Sequence, residues 1–182
     1  MVGASTPVDE LISAYPASAL DAAPSLAAFP PKVFLGDKGV HAYRTEFMVG
    51  LEHGARVARA IASEFGSVPG RTFQEGSANN GSKAAHFSLS PECGGAVATI
   101  VTNSGALLGK IDGLGLRPPP PWIVFPGMEP EAAGSLQGSA AYWWDWFFLP
   151  YWRAATAAER LRYPDAFKAS PEWREFIKLY AH

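Results

Sequence analysis

Cys93 and His86 are the two side chains in this sequence whose types suit covalent chemistry. A thiol becomes an effective nucleophile when a neighbouring imidazole takes its proton. Cys93 stands in "SPECGGAV", where glycines leave a side chain accessible and let backbone amides face a substrate, as an oxyanion hole requires. His86 comes seven residues earlier, in a stretch that reads as the preceding strand. If the "PECGG" loop folds that strand back, His86 reaches the thiol, and Asn79, Asn80 or Glu92 is close enough in sequence to orient the imidazole. Such a constellation would make a hydrolase, a deamidase or an acyl transferase. The plainer reading of a lone cysteine is a small, buried, apolar residue.

Other ionisable and glycine-rich stretches carry less chemistry. Glu52 and His53 are adjacent, so on a helix they point about 100° apart. A metal pair needs i, i+4 spacing, and a solvated helix face explains these residues with His41 better. "GSANNGSK", Gly76 to Lys83, has a spacing close to a phosphate-cradling loop, but Ser82 precedes Lys83 and a strand follows, so it reads as a hairpin loop. "GLGLRP" lacks the following helix that a dinucleotide fingerprint needs. The sequence therefore offers no cofactor loop and no metal set.

Composition narrows the partners. The 182 residues have a net charge of -2, with 15 Lys and Arg against 17 Asp and Glu, which gives no electrostatic reason to expect nucleic acid or an anionic membrane. Cys93 is the one cysteine, so an intramolecular disulfide and a cysteine-rich zinc site are excluded. The start "MVGASTPVDELISAYP" lacks the charged and apolar regions of a secretory signal, and no apolar run reaches the roughly 18 residues of a spanning helix. A cytoplasmic protein is the expectation.

The elements that must position these residues follow from periodicity. "TPVDELISAY" predicts a short helix capped by Thr6, with Val8, Leu11, Ile12 and Tyr15 on one stripe. A Pro/Ala-rich arm follows. "TEFMVGLEHGARVARAIASEF", Thr45 to Phe65, predicts a helix that buries Leu51, exposes His53, pairs Glu52 with Arg56 and stops at Gly66. "RTFQE", "AAHFSLS", "AVATIVT" and "ALLGKIDG" read as strands, the last two joined by an Asn103-Ser104-Gly105 turn, with "WIVF" as a closing strand. "TAAERL" carries a capping box, and "SPEWREFIKLY" predicts a helix with Trp173, Phe176, Ile177 and Tyr180 aligned. The fold class is α+β: an antiparallel β-meander of four to five strands flanked by helices, with an aromatic-rich helical C-terminal subregion. One domain is expected over 1–182, with an N-terminal helix and arm over 1–40, a helix over 41–66, the sheet over 71–125 and C-terminal helices over 139–181.

"AYWWDWFFLPYW", Ala141 to Trp152, packs eight aromatic side chains into twelve residues. As a helix it is apolar nearly all round, which describes burial on both sides. Trp143, Trp144 and Phe147 share a face with Ala140 and are expected to be core. Tyr142, Asp145, Trp146 and Leu149 share the opposite face. Pro150 should end or kink the helix and bring Tyr151, Trp152 and Arg153 to the surface as a partner-binding patch, since Tyr, Trp and Arg dominate interface hot spots. By elimination the expected function is a non-enzymatic protein-binding module, such as an adaptor, an inhibitor or an antitoxin-like or immunity-like partner. The alternative is a small enzyme using Cys93 and His86.

Overall fold

Pairing between strands, more than alternation of side chains, decides which parts of the middle of the chain become sheet. The computed structural model describes residues 7–19, 27–66 and 76–180. Five strands form one antiparallel sheet: β1 (Lys32–Phe34), β2 (Tyr43–Gly50), β3 (Gly76–Asn80), β4 (Lys83–Glu92) and β5 (Gly95–Thr102), in the order β1-β2-β5-β4-β3. The fold is α+β. β5, "GAVATIVT", is apolar almost throughout, and it takes the central position, where both faces of a strand are covered.

Residues 43–50 correct the expected helix over 41–66. Phe47, Met48 and Leu51 fit a helical stripe, but Thr45, Phe47 and Val49 also fit one face of a strand, and β-branched and aromatic side chains favour the second fit. Pairing with β5 from Tyr43↔Thr102 to Gly50↔Gly95 settles the competition for the strand. Helix α2 (Leu51–Phe65) then starts directly from Gly50 and stops at Gly66, whose φ of 73° is the left-handed cap that glycine adopts at no steric cost. The new boundary moves Leu51 to the first turn, where it is 45 % exposed instead of buried. Arg56 does not pair with Glu52; its guanidinium donates to the Leu114 carbonyl at 2.6 Å, and Glu52 lies 3.4 Å from His53 Nδ1.

"ALLGKIDG" is also helical: α3 runs Gly105–Asp112. Ser104 caps it, with its Oγ accepting from the Leu107 amide at 3.1 Å, so the supposed turn Asn103-Ser104-Gly105 is the end of β5 and a helix start. Asn103 accepts from the Ala84 amide and donates to the Ser82 carbonyl, fastening that end of β5 to β4. "WIVF" is a single helical turn, α4 (Pro121–Val124). "GSANN" is β3 itself, and the hairpin turn shrinks to Gly81-Ser82. Helix α1 (Val8–Ala14) buries Leu11 while Val8 and Ile12 are exposed. Thr6, residues 71–75 and the Tyr180 side chain lie outside the described residues.

The C-terminal third is helical, as its pattern predicts. α5 (Gly138–Trp143) runs into a π-helical turn over Trp144–Phe148 and then α6 (Leu149–Ala154). Pro150 cannot donate, and its ring crowds the carbonyl four residues before; the wider turn ahead of it accommodates both defects, so the chain stays helical across the proline. α7 (Ala157–Ala166) opens on the expected capping box of Thr156 and Glu159, and α8 (Pro171–Tyr180) buries Trp173, Phe176 and Ile177. Among the described residues no helix is long and apolar enough to cross a membrane.

Successive strand residues point to opposite faces. One face presents Phe47, Val49, Phe87, Leu89, Ala98 and Ile100 to α2 and α3. The other face is divided. Met48 and Val97 lie under the aromatic layer of the C-terminal helices, and Val101 lies under α1.

Candidate binding surface

The β2–β5–β4 register sorts the second face into rows. Arg44, Val101 and His86 are neighbours, then Glu46, Thr99 and Ser88, then Met48, Val97 and Ser90, then Gly50, Gly95 and Glu92. The first row is covered at Val101 by α1, and the third at Met48 and Val97 by the aromatic layer. The row between them is polar. Thr99 Oγ1 donates to Glu46 at 3.3 Å, Glu46 pairs with Arg44, and the Thr99 and Ser88 side chains are half-buried.

Tyr15 fixes one wall. Its buried hydroxyl donates to the Val101 carbonyl at 2.7 Å and accepts from the His86 amide at 3.0 Å, two facing residues of the β4–β5 ladder. His86 Nδ1 lies 2.8 Å from the same oxygen. Since that hydroxyl proton goes to Val101, Nδ1 is the donor and carries the proton. Glu10 Oε1 lies 3.9 Å from His86 Nε2. Burial holds the imidazole below its ordinary pKa, against the raising effect of the Glu10 charge.

Tyr142 and Trp146 form the other wall. They stand 41 % and 62 % exposed, with their rings 6.2 Å apart. Burial pushes the Tyr142 phenol up, and the charges of Glu92, Glu46 and Cys93 add to that while Arg44 opposes it, so the ring sits in the field of the polar rows. Glu92 has no ion-pair partner among the described residues. The sequence pattern held a signal for these two aromatics. They share a helix face with Asp145, and a carboxylate on an otherwise apolar helix marks the side that meets water.

The structure does not bring Cys93 and His86 together. "PECGG" is the turn between β4 and β5, with Cys93 and Gly94 at φ 46° and 70°, the two left-handed positions of a tight hairpin. It folds β5 back, whereas His86 lies on the same strand as the turn, six residues before Glu92 and about 20 Å away at the rise of a strand. Burial and the Glu92 charge both push the Cys93 thiol up, the opposite of what a nucleophile needs. Half-buried, Cys93 packs against the aromatic layer.

Tyr151 and Trp152 are buried, at 4 % and 6 % exposure, and only Arg153 of the expected surface triplet faces solvent. The cause is the uninterrupted helix across Pro150. Trp152 stacks on Phe148 at 5.3 Å and 19°, and Tyr151 meets Phe29 and Tyr163 edge-on or tilted. Trp143 and Phe147 are core, as their shared face requires; Trp144 is half-buried. His41 lies against Phe34 at 6.3 Å. Among the described residues no group of three His, Cys, Asp or Glu side chains is placed to hold a metal ion.

No protein-family model matches this chain, and no curated protein or solved structure does.

Proposed function

We propose that this chain is a non-enzymatic protein-binding module, and that its partner docks on the open part of the sheet's second face with Tyr142 and Trp146 as anchors. The observation that carries the reading is the exposure of these two rings in a helical layer whose other aromatic side chains are mostly packed inward. Large aromatics are the residues that dominate interface energetics, and beside them Glu46, Thr99 and Ser88 offer polar groups that fix orientation. The half-buried Cys93 thiol suits a reducing, cytoplasmic setting. The rival cysteine–histidine enzyme draws no support from a pair set about 20 Å apart along one strand.

Affinity capture from the source cells, followed by calorimetry on the captured partner, tests the proposal. Tyr142→Ala and Trp146→Ala should each weaken binding by ~2 kcal/mol, or roughly 30-fold, with melting unchanged. Full affinity in the double variant would overturn the assignment of this surface. Cys93→Ser should leave binding intact. If it abolishes the biological activity of a chain that still folds normally, the enzyme reading takes over.

A further inference from the structure

A second concavity lies on the other side of the sheet, between α2 and α3, and is independent of the partner surface. It is a shallow groove open to solvent, of about 460 Å³, lined by Arg56, Arg59, Ala60, Ser63, Lys110 and Leu114, among others. That volume is within the range of small-molecule sites. We propose that it binds a small organic phosphate monoester.

The charge count favours a dianion. Arg56, Arg59 and Lys110 supply three positive charges, and Glu64 supplies one negative charge, which leaves two. Glu64 is spent on the protein: it bonds Lys110 and the Ser104 hydroxyl, each at 2.9 Å. Burial raises its carboxyl, but those bonds and the charges of Lys110 and Lys83 outweigh that and hold it below the usual carboxylate range. Neither guanidinium has a carboxylate partner among the described residues. Among the described residues Arg59 bonds only the Ala55 carbonyl of its own helix, at 3.3 Å. Arg56 is held by the Leu114 carbonyl, which fixes the fork and leaves its other donors for a ligand.

The geometry is that of a clamp. Arg56, Arg59 and Ser63 recur at i, i+3 and i+7, so they line one side of α2. Lys110 crosses from α3 and touches the Ser63 hydroxyl at 3.1 Å. Guanidinium forks match the paired oxygens of a phosphate, and three donor side chains suit its three terminal oxygens. Ala60 and Leu114 form an apolar floor for the organic part. A carboxylate, with one charge and two oxygens, would leave part of this set unused.

Titrating the full chain with phenyl phosphate, inorganic phosphate and benzoate, read by amide NMR shifts, tests the proposal. Phenyl phosphate should saturate with shifts centred on Ala60, Ser63 and Lys110, and bind about tenfold or more tighter than either comparison ligand. Arg59→Gln, which breaks no contact between elements, should weaken it about tenfold without changing the melt. Arg56→Lys, which keeps the charge and loses the fork, should weaken it as well. Benzoate binding as tightly would overturn the phosphate, and inorganic phosphate binding as tightly would overturn the organic body. Shifts scattered over the surface, or indifference to Arg59→Gln, would overturn the site.

Discussion

The two faces of the sheet are built on different plans. Toward α2 and α3, small residues (Ala58, Ala60, Ala85, Ala96 and Ala98) let helix and sheet approach closely, and Phe47, Phe87, Leu89 and Ile61 fill what is left. Toward the second face, two separate covers meet the sheet and leave a polar row between them. α1 is pinned through one hydroxyl, and the C-terminal helices press down a thick aromatic layer. The first plan gives a closely packed, largely apolar core. The second gives less uniform cover and an edge where aromatic side chains stay in water. That difference separates the residues that hold the fold from those free to bind.

Breaking the uniform face should cost most. Phe47 is buried at its centre, and Phe47→Ala should destabilise by ~3–5 kcal/mol through lost burial and the cavity left behind. Urea unfolding measures it. A loss below about 1 kcal/mol would mean that the face can collapse around the gap and is not the rigid half of the comparison.

The α1 cover depends on fewer bonds. Tyr15→Phe keeps the ring and removes the hydroxyl that the Val101 carbonyl and the His86 amide both use, so a loss of ~1–3 kcal/mol is expected. The same pin should respond to pH. Burial holds His86 below its ordinary pKa in the fold, so the unfolded chain binds the proton more readily. The contribution is full above the unfolded value near pH 6.5 and is lost as pH falls through the lower folded value. Melting temperature should therefore drop as pH falls below about 7, and His86→Asn, whose amide can still donate to Tyr15, should flatten that part of the curve. An unchanged slope in the variant would place the pH dependence elsewhere.

The two faces were also unequally legible in the sequence. Caps and stops were readable because they depend on one or two residues: Gly66, the Thr156–Glu159 box, and Ser170 before Pro171. Trp143 and Phe147 were readable as core from the company they keep on a helix face. What the sequence hid were choices made by tertiary pairing. Residues 43–50 fit a helical and a strand period; their side chains lean to the strand, and the ladder with β5 settles it. "ALLGKIDG" offers a short apolar run of either type, and the Ser104 cap decides it for helix. At Pro150 a general rule failed, because a π turn absorbed the proline and carried Tyr151 and Trp152 inward. The expected surface at Tyr151 and Trp152 hung on that proline, whereas the gap between Cys93 and His86 follows from the rise of a single strand.

Inside the aromatic layer, two tyrosines give a smaller and sharper contrast. Tyr163 donates to the Pro118 carbonyl at 2.8 Å, whereas the buried Tyr151 hydroxyl has no partner among the described residues. Tyr163→Phe should cost ~1 kcal/mol or more by stranding the carbonyl, and Tyr151→Phe should be neutral or slightly stabilising. Equal losses in thermal melts would show that Tyr151 is bonded after all.

The smallest effect on stability is expected where the proposed effect on binding is largest. Trp146 is 62 % exposed and, among the described residues, its one ring neighbour is Tyr142, so truncation removes little buried area and opens no cavity. Trp146→Ala should change stability by no more than ~0.5 kcal/mol, the scale of surface substitutions. Leu51→Ala, at a similarly open position in the first turn of α2, should be a matched control with a comparably small change in the melt. The pair isolates function from exposure. If both variants melt like the wild type and only Trp146→Ala loses the partner, the edge of the aromatic layer is a binding surface. If Trp146→Ala unfolds as readily as Phe47→Ala, its ring supports the layer from outside, and the division between a holding face and a binding face fails at its most exposed residue.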